Sequence, residues 1–466
     1  MRHSIGRTAV AQVQSLLHGF LQDGAFPFSS VLTVQDIVDL ISQTCVETCD
    51  RIFTPVVTLC TFLSQIHSDD PSCRAAVARL NATRVAQGLE PCSPLTGGYC
   101  KARQRLAESL LYRLVPLSGQ RLQQQTPMAW HWHGRAVKIV DGSGVSMPDT
   151  EANQQAYPQP GSQKPGLGFP VARLVVVFSL ACGAVLAAAV GRIKGPQSSE
   201  TMLFHSLHAS LERDDVVLAD RFYCSYWEVA LLLGRGIDTV MRLHQRRQVD
   251  FRGGRRVGRE DHVISWTTPK RPAWMDEATY DGLPATMDIR VLRVCVPQRG
   301  FRTRVVVVAT TLLETQVYPK EDLAGLYRAR WHAELDLRSI KQTMQMDVLR
   351  CKTPAMVRKE IWGHLLVYNL LRATMAQAAL GHGVMPRQVS LQGTRQTLAA
   401  FYSLLVQRPS TERAHIVHIV LSAIASHRVG TRPDRYEPRA CKRRPKPYPL
   451  LRVPRQQARA RLATAA

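Results

Sequence analysis

Acidic residues are scarce in this chain. Only 36 Asp and Glu stand against 60 Lys and Arg in 466 residues, giving a formal net charge of +24 and a pI near 10.1. That imbalance favours an anionic polymer or surface as partner, with nucleic acid first, because each cation set on a phosphate releases condensed counterion. It selects a class of partner and no reaction. Paired cysteines are missing as well: the 11 cysteines run from Cys45 to Cys441 with no CxxC and no His spacing of zinc type, which points to reduced thiols in a cytoplasm. The opening MRHSIGRTAVAQVQSLLHGFLQ reads as an amphipathic helix without a signal-peptide core. The uncharged run LVVVFSLACGAVLAAAVG, residues 174 to 191, just reaches the length of a membrane span. Ala181, Cys182 and Gly183 split it, so two buried strands around a tight turn are expected and no membrane partner.

What is present suits a globular protein of two or three domains, with 45% hydrophobic and 21% charged residues. Residues 1–125 are mostly helical by pattern and basic, which fits a reader of DNA ends or a helical packing domain without contacts. From there to 380 the order is mixed α/β. AVKIVDGSG is expected as a strand ending at Asp141 in a Gly turn, and VVLADRFYCSY as a second strand ending at Asp220. SETMLFHSLHASLER and YWEVALLLGRG read as helices. Residues 236–308 turn to β again, and RLHQRRQVDFRGGRRVGR within them carries seven arginines against one aspartate. Arg forks onto phosphate oxygens, so this stretch suits a phosphate backbone, although a solvated loop without contacts would look the same. Residues 381–466 are expected as a helical segment followed by a flexible basic arm rich in Arg and Pro.

The stretch LYRARWHAELDLRSIKQTM, residues 326 to 344, holds the densest polar pattern. Wound as one helix, it brings Tyr327, Arg330, Glu334 and Lys341 within an arc of about 60°. Leu326, Leu337, Ile340 and Met344 form an apolar stripe beside them. The polar face is then either an ordinary wet side or the edge of a site.

Asp141 and Asp220, each at a strand end, form a candidate trio with Glu334 on the later helix. Three converging carboxylates repel one another unless cations neutralise them, so the trio implies divalent metal, and hard oxygen ligands suit Mg²⁺ or Mn²⁺. Two such ions can serve both sides of a phosphodiester displacement. Each member also has an ordinary explanation. Asp-Gly after a strand is usually a turn, Asp220 could cap the following helix, and Glu334 could pair with Arg330 or Arg338. Asp149, Glu151 and Asp215 are nearby acids that rank as decoys.

The spacing Tyr327, two residues, Arg330, three residues, Glu334, six residues, Lys341 resembles the YREK signature of bacterial insertion-sequence transposases of the DDE class. The resemblance extends to VDGSGVSMPDT around Asp141, LADRFYCSYW around Asp220, QKPGLGFPVARL and DVLRCKTPAMVRKEIWGHLLVYNLLR, over roughly residues 95 to 380. It implies an α/β fold: a ribonuclease H-like mixed-sheet core, 126–380, with a β-rich insertion and a helical N-terminal domain. It further implies that Asp141, Asp220 and Glu334 hold two Mg²⁺ ions, with Mn²⁺ as substitute, and that Tyr327, Arg330 and Lys341 contact DNA. The implied activity is cut-and-paste transposition: hydrolysis at the element's terminal inverted repeats, then attack of the freed 3′-hydroxyl on the other strand and later on target DNA. A homodimer on DNA and a bacterial, cytoplasmic, nucleoid-associated location follow by the same analogy. Some family members stack a flipped base on an aromatic of the insertion. Trp266 and Trp274 are the candidates, with a core position the ordinary expectation for each. A catalytically inactive, domesticated DNA-binding descendant is the alternative, against which all three carboxylates and the four signature residues are intact.

Overall fold

The computed structural model describes residues 30–45, 52–195, 198–247, 249–295, 305–408, 410–430 and 451–464. The amphipathic stretch at 1–22 and most of the basic tail from 432 lie outside the described residues. Two compact units divide the chain: residues 1–134, 181–187 and 335–429 make one, and 135–180, 188–334 and 430–466 the other.

A nine-stranded sheet, which lies in the second unit apart from the first three residues of β3, consists of β1 (Val137–Ser146), β2 (Val171–Ser179), β3 (Val185–Arg192), β4 (Val216–Ala219), β5 (Asp238–Arg242), β6 (Arg255–Gly258), β7 (Asp261–Thr267), β8 (Thr286–Cys295) and β9 (Val305–Thr310). Their order is β3-β2-β1-β4-β5-β9-β8-β7-β6. β1 runs antiparallel to β2 and parallel to β4, which runs parallel to β5. The sheet is therefore mixed, as the α/β expectation requires. Parallel neighbours need a crossover, and the helix Tyr226–Leu233 supplies it between β4 and β5. All four residues of β4 are buried, as a strand covered on both faces requires.

Three sequence expectations change here. β1 does not end at Asp141: Gly142 pairs with Val175 and Gly144 with Arg173, so the long β2 carries the strand through both glycines to Ser146. β5, inside the stretch 236–308, pairs in parallel with β4, and β8, β7 and β6 continue the sheet beyond β9. A buried Arg290–Asp261 pair, with contacts of 2.6 and 2.9 Å, ties β7 to β8, and Arg290 also donates to the Tyr318 carbonyl at 2.7 Å. The stretch expected as one helix over 199–213 is a short helix, Glu200–His205, and a 3-10 turn, His208–Ser210. The hairpin expected over 174–191 is present as β2 and β3, with Gly183 in the turn at φ +79°. Among the described residues no helix is long and apolar enough to cross a membrane.

The first unit is helical. Its longest helix, Pro354–Gly381, is buried almost all round, as its weak apolar asymmetry demands. Asn369 at its middle donates to the carbonyls of Val115 and Val185 and accepts from the Val185 amide at 2.7 Å. The front helices Val34–Thr44, Pro55–His67, Cys73–Ala86, Gly97–Arg105 and Glu108–Gln124 cluster with the chain from 335 to 429.

Candidate active site

The register between β1 and β4 sets the first two carboxylates side by side. Val140 is opposite Ala219 on parallel neighbours, so the next positions along the two strands are Asp141 and Asp220. Neither has its ordinary role. Asp141 lies inside a paired strand and makes no turn, with its Oδ1 accepting from the Gly142 amide at 2.9 Å. The helix after Asp220 is capped by Ser225, whose hydroxyl accepts from the Glu228 amide at 3.1 Å.

Glu334 arrives on a helix that is not continuous. Helices Lys320–Ala329 and Trp331–Arg338 meet at Arg330, whose amide bonds the Tyr327 carbonyl three residues back at 3.2 Å and tightens the turn. A π-helical segment, Ser339–Thr343, follows and carries Lys341. The expected apolar stripe holds: Leu326, Leu337, Ile340 and Met344 are all buried.

Arg330 joins the acids. One guanidinium nitrogen lies 3.8 Å from Asp141 and another 2.7 Å from Glu334. The ion pair considered as an ordinary role for Glu334 is therefore made, and it is made inside the site. Burial pushes the Asp141 carboxyl up to about 6, Arg330 opposes the rise, and the charges of Glu334 and Glu200 add to it. Tyr327 is buried, and burial pushes its phenol up to about 12, with Arg330 opposing and Asp220 adding. Arg330 is thus the internal counter-cation of an acidic centre.

Sequence reasoning misses Glu200. Its carboxylate lies against Gly142, where a Cβ would meet its Cδ at 2.6 Å, and it is 4.0 Å from Arg173. In sequence it looks like an acid in the first turn of a helix, placed there by Ser199 at the N-cap. Only the fold brings that turn to Asp141. Tyr223, with a buried hydroxyl that has no hydrogen-bond partner among the described residues, feels the charges of Glu200 and Asp141. The decoys go elsewhere: Asp215 is buried 3.7 Å from Lys138, Asp149 accepts from Gln154 at 2.9 Å, and Glu151 is an exposed residue of a short helix.

Trp266 is buried on β7 with the Arg247 guanidinium 4.1 Å from its ring centre, as a core position predicts. Trp274 departs from that expectation and is 43% exposed. Of the seven arginines between 242 and 259, Arg246, Arg252, Arg255, Arg256 and Arg259 are exposed.

The family model described as "Transposase DDE domain" matches residues 132–370. The chain belongs to the DDE transposase family. It is 29% identical to transposase InsG for insertion sequence element IS4 of Escherichia coli K12, over 75% of this chain and 77% of that protein. A putative transposase of the same organism, InsZ, is 27% identical over 27% of this chain and 41% of its own length. The cryo-EM structure of the piggyBac transposase synaptic complex with hairpin DNA covers 93% of this chain and 90% of its own at 10% identity, with a TM-score of 0.44. This DDE transposase is therefore a DNA-transposing enzyme of a family that uses divalent metal. The donor set fits such an ion. The carboxylates offer hard oxygens, and their mutual charge adds to the burial that holds Asp141 well above the usual carboxylate range.

Proposed function

We propose that this DDE transposase cuts at the terminal inverted repeats of its element and joins the freed ends to target DNA, with Asp141, Asp220 and Glu334 as ligands of two Mg²⁺ ions, or Mn²⁺ in their place. The observation that carries the assignment is Arg330 lying between Asp141 and Glu334. When bound, the divalent ions supply charge neutralisation at the attacking and leaving oxygens. The chain does the rest. The three carboxylates orient the scissile phosphate by what they hold, and Arg330, released from Glu334, neutralises a non-bridging phosphate oxygen. Tyr327, its phenol beside Arg330, keeps that guanidinium aimed and offers only its hydroxyl edge to the DNA backbone. Lys341 holds a phosphate near the element's end. The exposed arginines of 246–259 track the backbone further out. The front helices within 1–125 read the ends, and a homodimer cuts two ends in concert.

The test is cleavage of a supercoiled plasmid carrying the element's own ends, with Mg²⁺ or EDTA, by the wild type and Glu334→Gln. Metal-dependent excision by the wild type alone, with end binding kept by the variant, is the expected result. Normal excision by Glu334→Gln removes the site assignment. Binding by both proteins with cleavage by neither favours the domesticated DNA-binding descendant.

A further inference from the structure

A second cluster of donors is built from side chains other than the acidic trio. His205 ends the helix Glu200–His205, His208 opens the 3-10 turn His208–Ser210, and Glu228 sits in the first turn of the helix Tyr226–Leu233. His205 Nε2 is 2.7 Å from one oxygen of Glu228, and His208 Nε2 is 2.6 Å from the other. Among the described residues this is the one group of three or more His, Cys, Asp or Glu side chains whose donor atoms all lie within 4.8 Å of one another. The Glu228 side chain is 1% exposed, the two imidazoles 17% and 13%. Burial pushes the Glu228 carboxyl up, but the two imidazole contacts outweigh it and hold it below its ordinary value. A buried carboxylate flanked by two imidazoles at a His-x-x-His spacing is either a hydrogen-bonded knot or the donor set of a transition ion.

We propose that His205, His208 and Glu228 bind one borderline transition ion of the Zn²⁺ type, in a site separate from the catalytic carboxylates. Imidazole nitrogen selects Zn²⁺, Co²⁺ or their neighbours over Mg²⁺, so the two sites sort different metals from one solution. Tetrahedral coordination at about 2.0–2.1 Å from each donor separates ligand atoms by about 3.3 Å, which asks the present contacts to open by roughly 0.7 Å. Both rings are partly exposed and on short segments, and the Trp274 ring lies beside His205 at a centroid distance of 4.8 Å.

The placement gives the ion a purpose. One pair of ligands precedes β4 and the third follows it, so a single ion clips together the segments on both sides of the strand that leads to Asp220. The same clip fixes the segment that begins with Glu200, the carboxylate against Gly142. The ion is structural: it holds the wall of the acidic centre and takes no part at the scissile phosphate.

The experiment uses the full chain carrying Glu334→Gln, in excess Mg²⁺, so that the catalytic carboxylates do not report. Co²⁺ is titrated against it and against the same chain with His208→Gln, whose amide still donates to Glu228 and so preserves a hydrogen-bonded knot. The expected result is uptake of about one equivalent of Co²⁺ with ligand-field bands, and a rise in thermal midpoint with Zn²⁺. His208→Gln should weaken uptake by at least about tenfold and abolish the Zn²⁺ shift. Equal Co²⁺ spectra and equal Zn²⁺ shifts in both chains, or no uptake by either, overturn the proposal. Should His208→Gln fail to fold, the Cd²⁺ resonance of the parent chain decides: mixed nitrogen and oxygen ligation supports the site, and all-oxygen ligation overturns it.

Discussion

Single residues in this transposase are charged where burial makes charge costly, and each is held by a partner. Asp336 is 1% exposed and lies between two guanidinium groups, those of Arg372 and Arg387, the latter at 2.9 Å. Taking away the acid's charge leaves two buried cations facing a neutral amide. Asp336→Asn should therefore cost about 3–5 kcal/mol of stability, measured by urea unfolding, and a loss under about 1 kcal/mol would show that solvent reaches the pair. Where such residues are placed in the fold is only partly legible in the sequence. Asp220 is legible because four apolar residues before it make a short buried strand. Asp141 is legible for an imperfect reason: Gly142 and Gly144 suggest a turn, whereas pairing with β2 keeps the strand extended through both. Glu200 is illegible, since nothing near it in sequence announces that its helix start meets Gly142.

Elements are positioned by contacts that sequence periodicity does not record. Helix Glu108–Gln124 passes so near the start of β3 that a Cβ on Gly119 would lie 1.9 Å from the Val185 carbonyl oxygen. Backbone cannot yield as a side chain can. Gly119→Ala should destabilise by roughly 1–3 kcal/mol in spite of alanine's better helix propensity, and a stabilised variant would mean that helix and strand are further apart. The same helix is tied to Val34–Thr44 through Arg121, which chelates Asp36 with one contact at 2.8 Å. The Arg121 hydrogen bond, helped by Thr33, holds the Asp36 carboxyl down at about 2 against an ordinary 3.8. The folded state thus binds this proton less tightly than the unfolded state. The pair's contribution is complete above the unfolded value and is lost as pH falls through about 4 to about 2. Thermal melts of wild type and Asp36→Asn should differ at pH 7 and converge towards pH 2, and a constant difference would remove Asp36 as the cause. The signature helix shows the limit of periodicity from the other side. Its apolar stripe is correct, yet the break at Arg330 and the π-turn after Arg338 are invisible to it, because a helical wheel assumes a uniform i−4 ladder.

At the scale of the whole molecule, the excess of 24 positive charges is the feature most legible in the sequence. Binding to DNA ends should weaken steeply with salt, and Lys341→Ala should lower the slope of log affinity against log salt by about one. An unchanged slope in a filter-binding or anisotropy series would take Lys341 off the phosphates. The grouping of front helices with residues 335–429 is beyond the reach of sequence periodicity, since it depends on contacts across more than half of the chain. The strands β8, β7 and β6 continue the mixed sheet beyond β9, and among the described residues β6 is one of its two margins. A free margin of backbone amides and carbonyls invites another sheet to add on, and a long flat one would do so. β6 is four residues long, irregular between Arg256 and Gly258, and presents Arg255 and Arg256 to solvent. Two like molecules meeting there repel before their backbones can zip together. Exposed arginines on this margin set like charge against like charge, which disfavours edge-to-edge addition of a second copy.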